Sequence, residues 1–176
     1  DNVESRGLGD VYKRQMYVES EVEFNLPKSR ILELIREPGN LNKYHPFCKR
    51  NDVINWPGNG SIDRLEYHNG MIFTREFYNW TDNGYDLRIG GKRNMALVNW
   101  VVKGDENKSS LKVRINPNIK NYIPVKNMFF QKLFWFIYIK PMLQSYINHV
   151  TKGFSHFMKT ESVVLQNQFG THRWFS

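Results

Sequence analysis

Leu143–Phe157 (LQSYINHVTKGFSHF) carries the pattern that determines the architecture of this chain. Its apolar residues recur at helical spacing, so that one face of a helix is apolar and must be buried against another layer. These residues are Leu143, Tyr146, Ile147, Val150, Phe154 and Phe157. The helical pattern begins earlier in the chain. It predicts one helix from Pro124 to about Lys159, kinked at Pro141 because proline removes a backbone donor.

The segments before this helix alternate apolar and polar residues, which is typical of β-strands with one buried face. The first is Val18–Phe24, and two short helices are predicted after it. One helix has the apolar stripe Ile31, Leu32 and Ile35, and the other covers Leu41–Tyr44. Further strands are predicted at Asp52–Trp56, Ser61–His68, Met71–Trp80, Tyr85–Ile89, Met95–Lys103 and Ser110–Asn116. Short strands joined by turns rich in glycine, asparagine and proline predict an antiparallel meander.

This order of elements predicts an α+β protein with the helix-grip fold. A curved antiparallel sheet of about seven strands would wrap around the long C-terminal helix, with two short helices after the first strand. The domain is expected to span residues 16–176. Asp1–Gln15 has no sustained periodicity and its charges cancel, so we expect a non-native or disordered extension, with Met16 as the native start. With Cys48 as the single cysteine and no apolar run of about 20 residues, a cytoplasmic protein is expected, with peripheral membrane contact as one possibility.

The turn before the fourth strand fixes which residues of this hairpin face the helix. A two-residue turn, Asn69–Gly70, would place Asp63 opposite Glu76, with like charges facing each other. A three-residue turn, His68–Gly70, places Asp63 opposite Arg75 and separates apolar from charged residues better. The same face then carries Leu65, Tyr67, Met71, Phe73 and Phe77. The sequence therefore predicts an ion pair on the apolar, concave face of the sheet. Such a pair orients a polar group of a ligand or is a structural pair at the rim.

The formal net charge of +8 is unevenly distributed along the chain. Between Asn107 and Thr160 there are nine lysines and arginines and no aspartate or glutamate. Lysines are interleaved there with aromatic residues, and one interpretation is contact with an anionic membrane surface. That contact would use Phe129, Phe130, Trp135, Lys126, Lys132 and Lys140. The other interpretation is a wide core helix that lines a cavity. Nucleic acid is not expected, because the aromatic residues cluster on a helix instead of spreading over a sheet face.

The element order, the Leu26–Pro27 helix start and His45–Pro46 resemble the first third of the START-like superfamily, which includes polyketide cyclase/dehydrase and lipid-transport proteins (SRPBCC). Tyr146–Phe154 (YINHVTKGF) and Asn167–Ser176 (NQFGTHRWFS) resemble the C-terminal signature of uncharacterised bacterial members. The resemblance spans Met16–Ser176 and implies a cavity for a hydrophobic ligand. It also implies that the first and last strands are neighbours, so that acidic residues of the first strand neutralise basic residues of the last. The residues concerned are Glu19, Glu21, Glu23, Lys112 and Arg114.

Two functions stay open from the sequence. One is non-catalytic binding or transport of a lipid, a quinone or a polyketide-like molecule, and the other is a cyclase/dehydrase-type enzyme acting in the same cavity. The candidate ligand-binding residues are Asp63, Arg75, Tyr67, Leu65, Phe73, Phe77, Tyr146 and Val150. Catalysis would require a titrating group in the cavity, and the candidates are Asp63 and His45, with Tyr67 as a further one.

No metal or cofactor is predicted. His45 and Cys48 have the spacing of half a zinc site, but no two further ligands stand nearby at convincing spacing. His149 and His156 lie seven positions apart on the long helix and would share a face. The sequence has no G-x-S-x-G motif, no phosphate-binding glycine loop and no dinucleotide-binding fingerprint.

Overall fold

The computed structural model describes residues 16–90, 94–122 and 127–176. Seven strands occur in these ranges: β1 (Val18–Phe24), β2 (Cys48–Asn55), β3 (Ile62–Tyr67), β4 (Ile72–Thr81), β5 (Gly84–Ile89), β6 (Ala96–Gly104) and β7 (Ser109–Pro117). The helices in these ranges are α1 (Lys28–Ile35), α2 (Leu41–Tyr44), α3 (Ile119–Tyr122), α4 (Met128–Phe134) and α5 (Lys140–Thr160), with a π-helical turn, Trp135–Ile139, between the last two. The predictions for Asp1–Gln15, Pro124 and Lys126 lie outside the described residues.

The strands form one antiparallel sheet in the order β1-β7-β6-β5-β4-β3-β2. The predicted meander is confirmed, and β1 closes it by pairing with β7. Across this pair, Glu19 meets Arg114 at 2.8 Å and Glu21 meets Lys112 at 2.9 Å. Glu23 pairs instead with Lys108 at 2.8 Å. The acidic face of β1 is therefore neutralised by β7 and the turn before it.

β2 was predicted at Asp52–Trp56 but begins four residues earlier, at Cys48, and ends at Asn55. Its pairing with β3 shifts between Cys48 and Arg50 and again between Val53 and Asn55. These irregularities interrupt the alternation of inward and outward side chains. The first half of the strand therefore lacks the sequence pattern by which a strand is recognised.

The three-residue turn between β3 and β4 is confirmed. Asp63 pairs with Arg75 and Leu65 with Phe73, while Gly70 has a φ of 85°. The backbone N–H of Gly70 donates to the carbonyl of Tyr67 at 3.0 Å. A left-handed residue is needed at this position, and glycine adopts that conformation without a steric penalty.

α5 crosses the concave face of the sheet and buries the predicted stripe, with Leu143, Tyr146, Ile147, Val150 and Phe154 in the core. The predicted long helix is confirmed from Met128 to Thr160, and it contains a π-helical turn that was not predicted. α4 ends at Phe134, a π-helical turn follows, and Pro141 stands in the first turn of α5. Proline has no N–H to donate, so the helix lacks one intrahelical hydrogen bond at this position, directly after the wider π-helical turn. The irregularity therefore precedes the proline.

Two close contacts position the remaining elements. A Cβ on Gly153 would lie 2.1 Å from the carbonyl oxygen of Tyr44, so α5 approaches α2 where only glycine fits. In α1 the buried residues are Ile31, Leu34 and Ile35, so Leu34 takes the core position predicted for Leu32.

The C-terminal segment, residues 161–176, turns back along α5. Glu161 has a φ of 56° and ends the helix. The N–H of Val164 donates to the carbonyl of Lys43 at 2.9 Å, and that of Asn167 to the carbonyl of Pro46 at 3.0 Å. These bonds tie the segment to the region of α2 and direct its last residues toward the concave face of the sheet.

Candidate functional site

A cavity of about 260 Å³ lies between the sheet and α5. Its inner wall is formed by buried residues of β3, β6, β7 and α5. They are Tyr67, Ala96, Ile115, Leu143 and Tyr146. Its outer wall is formed by partly exposed residues, namely Met71, Phe73, Ile89, Met95, Tyr122, Trp174 and Phe175. None of the described residues that line the cavity carries a charge, so the site suits an apolar molecule.

Three polar side chains meet beside this cavity. His45 follows α2, Tyr67 ends β3 and Tyr146 lies in the second turn of α5. His45 Nε2 is 3.0 Å from the hydroxyl oxygen of Tyr146, which is 2.9 Å from that of Tyr67. The backbone N–H of Phe47 donates to His45 Nδ1 at 3.2 Å. Two tyrosine hydroxyls are thus held in fixed positions at the inner wall.

The surroundings keep all three side chains uncharged near neutral pH. Burial, with the charge of Arg75 acting in the same direction, lowers the pKa of His45 to about 3. Burial raises the pKa of Tyr146 to about 12 and the pKa of Tyr67 well above its ordinary value. These groups therefore serve as hydrogen-bonding groups. A general acid or base would need a pKa nearer to neutral pH.

The last residues of the chain close the outer wall. The ring of Phe175 stacks on Tyr67 at 4.7 Å and lies 4.5 Å from Tyr146. The indole N–H of Trp174 donates to the hydroxyl of Tyr138 at 3.3 Å, and Asn69 donates to the carbonyl of Trp174 at 2.6 Å. No function was predicted for this segment, although its aromatic residues Phe169, Trp174 and Phe175 were a signal that part of it is buried.

Asp63 and Arg75 form the predicted pair, and the structure buries it. Arg75 donates from Nε to Asp63 Oδ1 at 2.7 Å and from Nη2 to Oδ2. The side chains are 5% and 1% exposed for Arg75 and Asp63 respectively. Burial opposes the arginine charge, but the charge of Asp63 outweighs it and raises the pKa of Arg75. The pair is therefore a buried, two-bonded salt bridge inside the core.

The structure separates the predicted ligand-binding residues into three groups. Tyr67, Phe73 and Tyr146 line the large cavity. Leu65, Arg75 and Val150, together with His45 and Tyr146, line a second cavity of about 30 Å³, which has room for about one water molecule. Asp63 and Phe77 are absent from the described walls of both cavities. Phe77 packs instead on Trp56 and Tyr85, each at 5.0 Å.

His149 and His156, which were considered for a shared site, form hydrogen bonds with other groups of the protein. The ring nitrogens of His149 face the carbonyl oxygens of Ser145 and Phe169, and His156 contacts Gln168. Burial raises the pKa of the Cys48 thiol to about 12. Within the described ranges, no three residues among histidine, cysteine, aspartate and glutamate are grouped so that they could hold a metal ion.

α4 and the π-helical turn expose a continuous apolar surface, here called the α4 surface. It consists of Met128, Phe129, Phe130, Leu133, Phe134, Phe136 and Ile137. Trp135 was predicted to belong to it, which is wrong, since its side chain is fully buried. The wider π-helical turn directs Trp135 and Ile139 into the core. Among the helices of the described residues, none is long and apolar enough to cross a membrane.

Solved structures match the chain in fold. A START superfamily protein from Mycobacterium smegmatis is 15% identical, with a TM-score of 0.62 over 83% of this chain and 99% of that one. The Zhui aromatase/cyclase from Streptomyces sp. R1128 is 10% identical, with a TM-score of 0.56 over 84% and 98%. DynU16, from the dynemicin biosynthetic locus, is 13% identical with a TM-score of 0.59 over 87% of this chain, which spans 52% of DynU16. No family model and no curated protein matches the chain. The chain therefore has the START-like helix-grip fold, as predicted.

Proposed function

We propose that this protein binds and carries a hydrophobic small molecule in the cavity of about 260 Å³ between the sheet and α5. The supporting observation is the cavity itself. Protein interiors are otherwise close-packed, and an engineered apolar cavity of about 150 Å³ is already large enough to bind benzene. A lipid tail, a quinone ring or a polyketide-like ring system would fit the chemistry of its walls.

The walls favour a carrier over an enzyme. Tyr67 and Tyr146 are hydrogen-bonding groups with raised pKa values, and His45 has a pKa of about 3. A cyclase/dehydrase would have to rely on the two hydroxyls to polarise a carbonyl, because Asp63 is absent from the described walls. Carriage requires only a shaped apolar space and therefore agrees better with this arrangement.

Filling the cavity should abolish ligand binding. Ala96 is buried in the inner wall, whereas Leu97 is its neighbour on β6 and faces away from the core. We expect Ala96→Phe to weaken binding of N-phenyl-1-naphthylamine, a neutral fluorescent probe, by roughly tenfold or more. Leu97→Phe adds an aromatic ring to the opposite face of the same strand and should leave the affinity unchanged. Equal affinity in both variants, measured by fluorescence titration, would contradict binding in this cavity.

We also propose that the α4 surface docks on an anionic membrane and that the carried molecule exchanges there. Large exposed apolar patches on soluble proteins mark interaction sites. The surface is anchored at its start by Asn127, whose side chain accepts from the N–H of Phe129 at 2.9 Å. Lys132 and Lys140 accompany it, and the nearby sequence contains no acidic residue. Tyr138 of the same turn contacts Trp174, so the surface adjoins the outer wall of the cavity.

Vesicle binding should depend on this surface. Phe129 and Ile137 are each 69% exposed, and Ile54 and Leu165, far from the α4 surface in sequence, are 64% and 70% exposed. Phosphatidylcholine vesicles that contain phosphatidylglycerol should bind the protein, less so as salt screens charges beyond about 8 Å. The Phe129→Ser/Ile137→Ser variant should lose this binding, and Ile54→Ser/Leu165→Ser should keep it. If the first variant instead changes only the sedimentation of the protein, the surface binds a second copy and the membrane proposal fails.

A further inference from the structure

The hydrogen bonds that join His45, Tyr146 and Tyr67 leave one tyrosine hydroxyl hydrogen unused. His45 Nδ1 accepts the backbone N–H of Phe47 and therefore carries no hydrogen. The imidazole is neutral in its buried position, so its single hydrogen is on Nε2. Nε2 then donates to the hydroxyl oxygen of Tyr146 at 3.0 Å.

Three hydrogens are thus available for the two hydrogen bonds His45–Tyr146 and Tyr146–Tyr67. They are the Nε2 hydrogen of His45 and the two hydroxyl hydrogens. The bond of 2.9 Å between Tyr67 and Tyr146 uses one hydroxyl hydrogen, whichever residue donates. The other hydroxyl hydrogen has no acceptor among the described residues. A buried hydroxyl without a partner is unfavourable, and both tyrosines line the large cavity. The inner wall therefore offers one hydrogen-bond donor to whatever occupies the cavity.

The rest of the wall restricts the acceptor. No described residue that lines the large cavity is cationic, and the buried cation Arg75 is already paired with Asp63. A carboxylate would lose its hydration there without gaining a counter-charge. The flat rings of Phe73, Trp174 and Phe175 favour a ligand that has rings of its own.

We propose that the cavity selects uncharged, ring-containing ligands whose carbonyl oxygen accepts the spare hydroxyl hydrogen of the Tyr67–Tyr146 pair. This selectivity rests on the proposed ligand-binding function. It distinguishes aryl ketones from both hydrocarbons of the same shape and carboxylic acids. Tyr67 and Tyr146 are thereby assigned as the residues that determine specificity.

Three probes test the proposal: 2-acetylnaphthalene, its hydrocarbon counterpart 2-ethylnaphthalene, and 2-naphthoate. Calorimetry should show that the Tyr67→Phe/Tyr146→Phe variant binds the ketone about 2- to 12-fold more weakly than the wild type, with no loss for the hydrocarbon. Each single variant still has one spare hydrogen and should retain much of the ketone affinity. Naphthoate should bind the wild type at least about tenfold more weakly than the ketone. Tyr78→Phe removes a hydroxyl from the opposite face of the sheet and is the matched control.

Infrared spectroscopy decides the proposal on the wild-type protein even if the double variant does not fold. The carbonyl stretch of the bound ketone should lie below its frequency in an alkane solvent, because a hydrogen bond weakens the C=O bond. An alkane-like frequency, or an unchanged ketone affinity in a folded double variant, would overturn the selectivity and leave the proposed carrier function intact. If neither naphthalene probe binds the wild type, the carrier function itself is wrong.

Discussion

Arg75→Ala should reduce the free energy of unfolding by about 3–5 kcal/mol. The substitution leaves Asp63 as a charge inside the core, where its side chain is only 1% exposed. An isolated buried carboxylate is far more costly than a paired one. Urea denaturation of the variant and the wild type measures the loss directly.

Two controls separate this effect from a general loss of packing. The Asp63→Leu/Arg75→Met variant replaces both charges and should recover most of the lost stability. Lys49→Ala breaks the pair with Glu66, in which the lysine side chain is 56% exposed, and should cost no more than about 1 kcal/mol. The folded fraction of Arg75→Ala should bind the neutral probe normally. A stability loss below 1 kcal/mol together with lost binding would instead support the sequence-based hypothesis that the pair anchors a ligand.

Acidification should destabilise the protein through His45. The pKa of this residue is about 3 in the folded state, lowered from 6.5 by burial, so the unfolded chain binds its proton first as the pH falls. The contribution is complete above about pH 6.5 and is lost toward pH 3, at up to about 1.4 kcal/mol per pH unit. His68 and His172 have lowered pKa values as well, mainly through burial, and act in the same direction. Urea denaturation at several pH values measures the slope.

The His45→Gln variant isolates the contribution of this residue. A glutamine amide still donates toward Tyr146 but has no proton to gain in this pH range. The variant should therefore lose less stability than the wild type between about pH 6.5 and pH 4. Identical slopes for the two proteins would show that His45 is protonated in the folded state. Arg75 is the charged group with the largest effect on the pKa of His45, and its guanidinium stays protonated over this whole pH range.

Periodic patterns made most of the fold predictable. Most strands alternate apolar and polar residues, with β2 as the exception. The turn before β4 has one register that separates charged from apolar residues, so the pairing of Asp63 with Arg75 followed from local sequence. The helical stripe of α5 was equally clear. The π-helical turn was not predictable, because it changes the direction of Trp135 without changing the composition of the helix around it.

The cavity was harder to predict than the face on which it lies. The register placed Tyr67, Phe73 and Phe77 on one face, but only the packing of distant side chains decides which of them border empty space. Phe77 is covered by Trp56 and Tyr85, whereas Tyr67 is met by Phe175, which is 108 positions away in the sequence. The C-terminal tail has no period, so sequence patterns carried no information on its destination.

The pairing of β1 with β7 has a consequence for folding during synthesis. Val18 pairs with Ile115, so β1 leaves the ribosome long before its partner exists. Contacts between residues so far apart in sequence form late and slow the folding of a domain. An unpaired strand is also a template for aggregation, and charged side chains are a common protection. The negative charges of Glu19, Glu21 and Glu23 would repel the unpaired β1 strands of other nascent chains. Once Lys108, Lys112 and Arg114 have been synthesised, the same charges form the ion pairs that close the sheet.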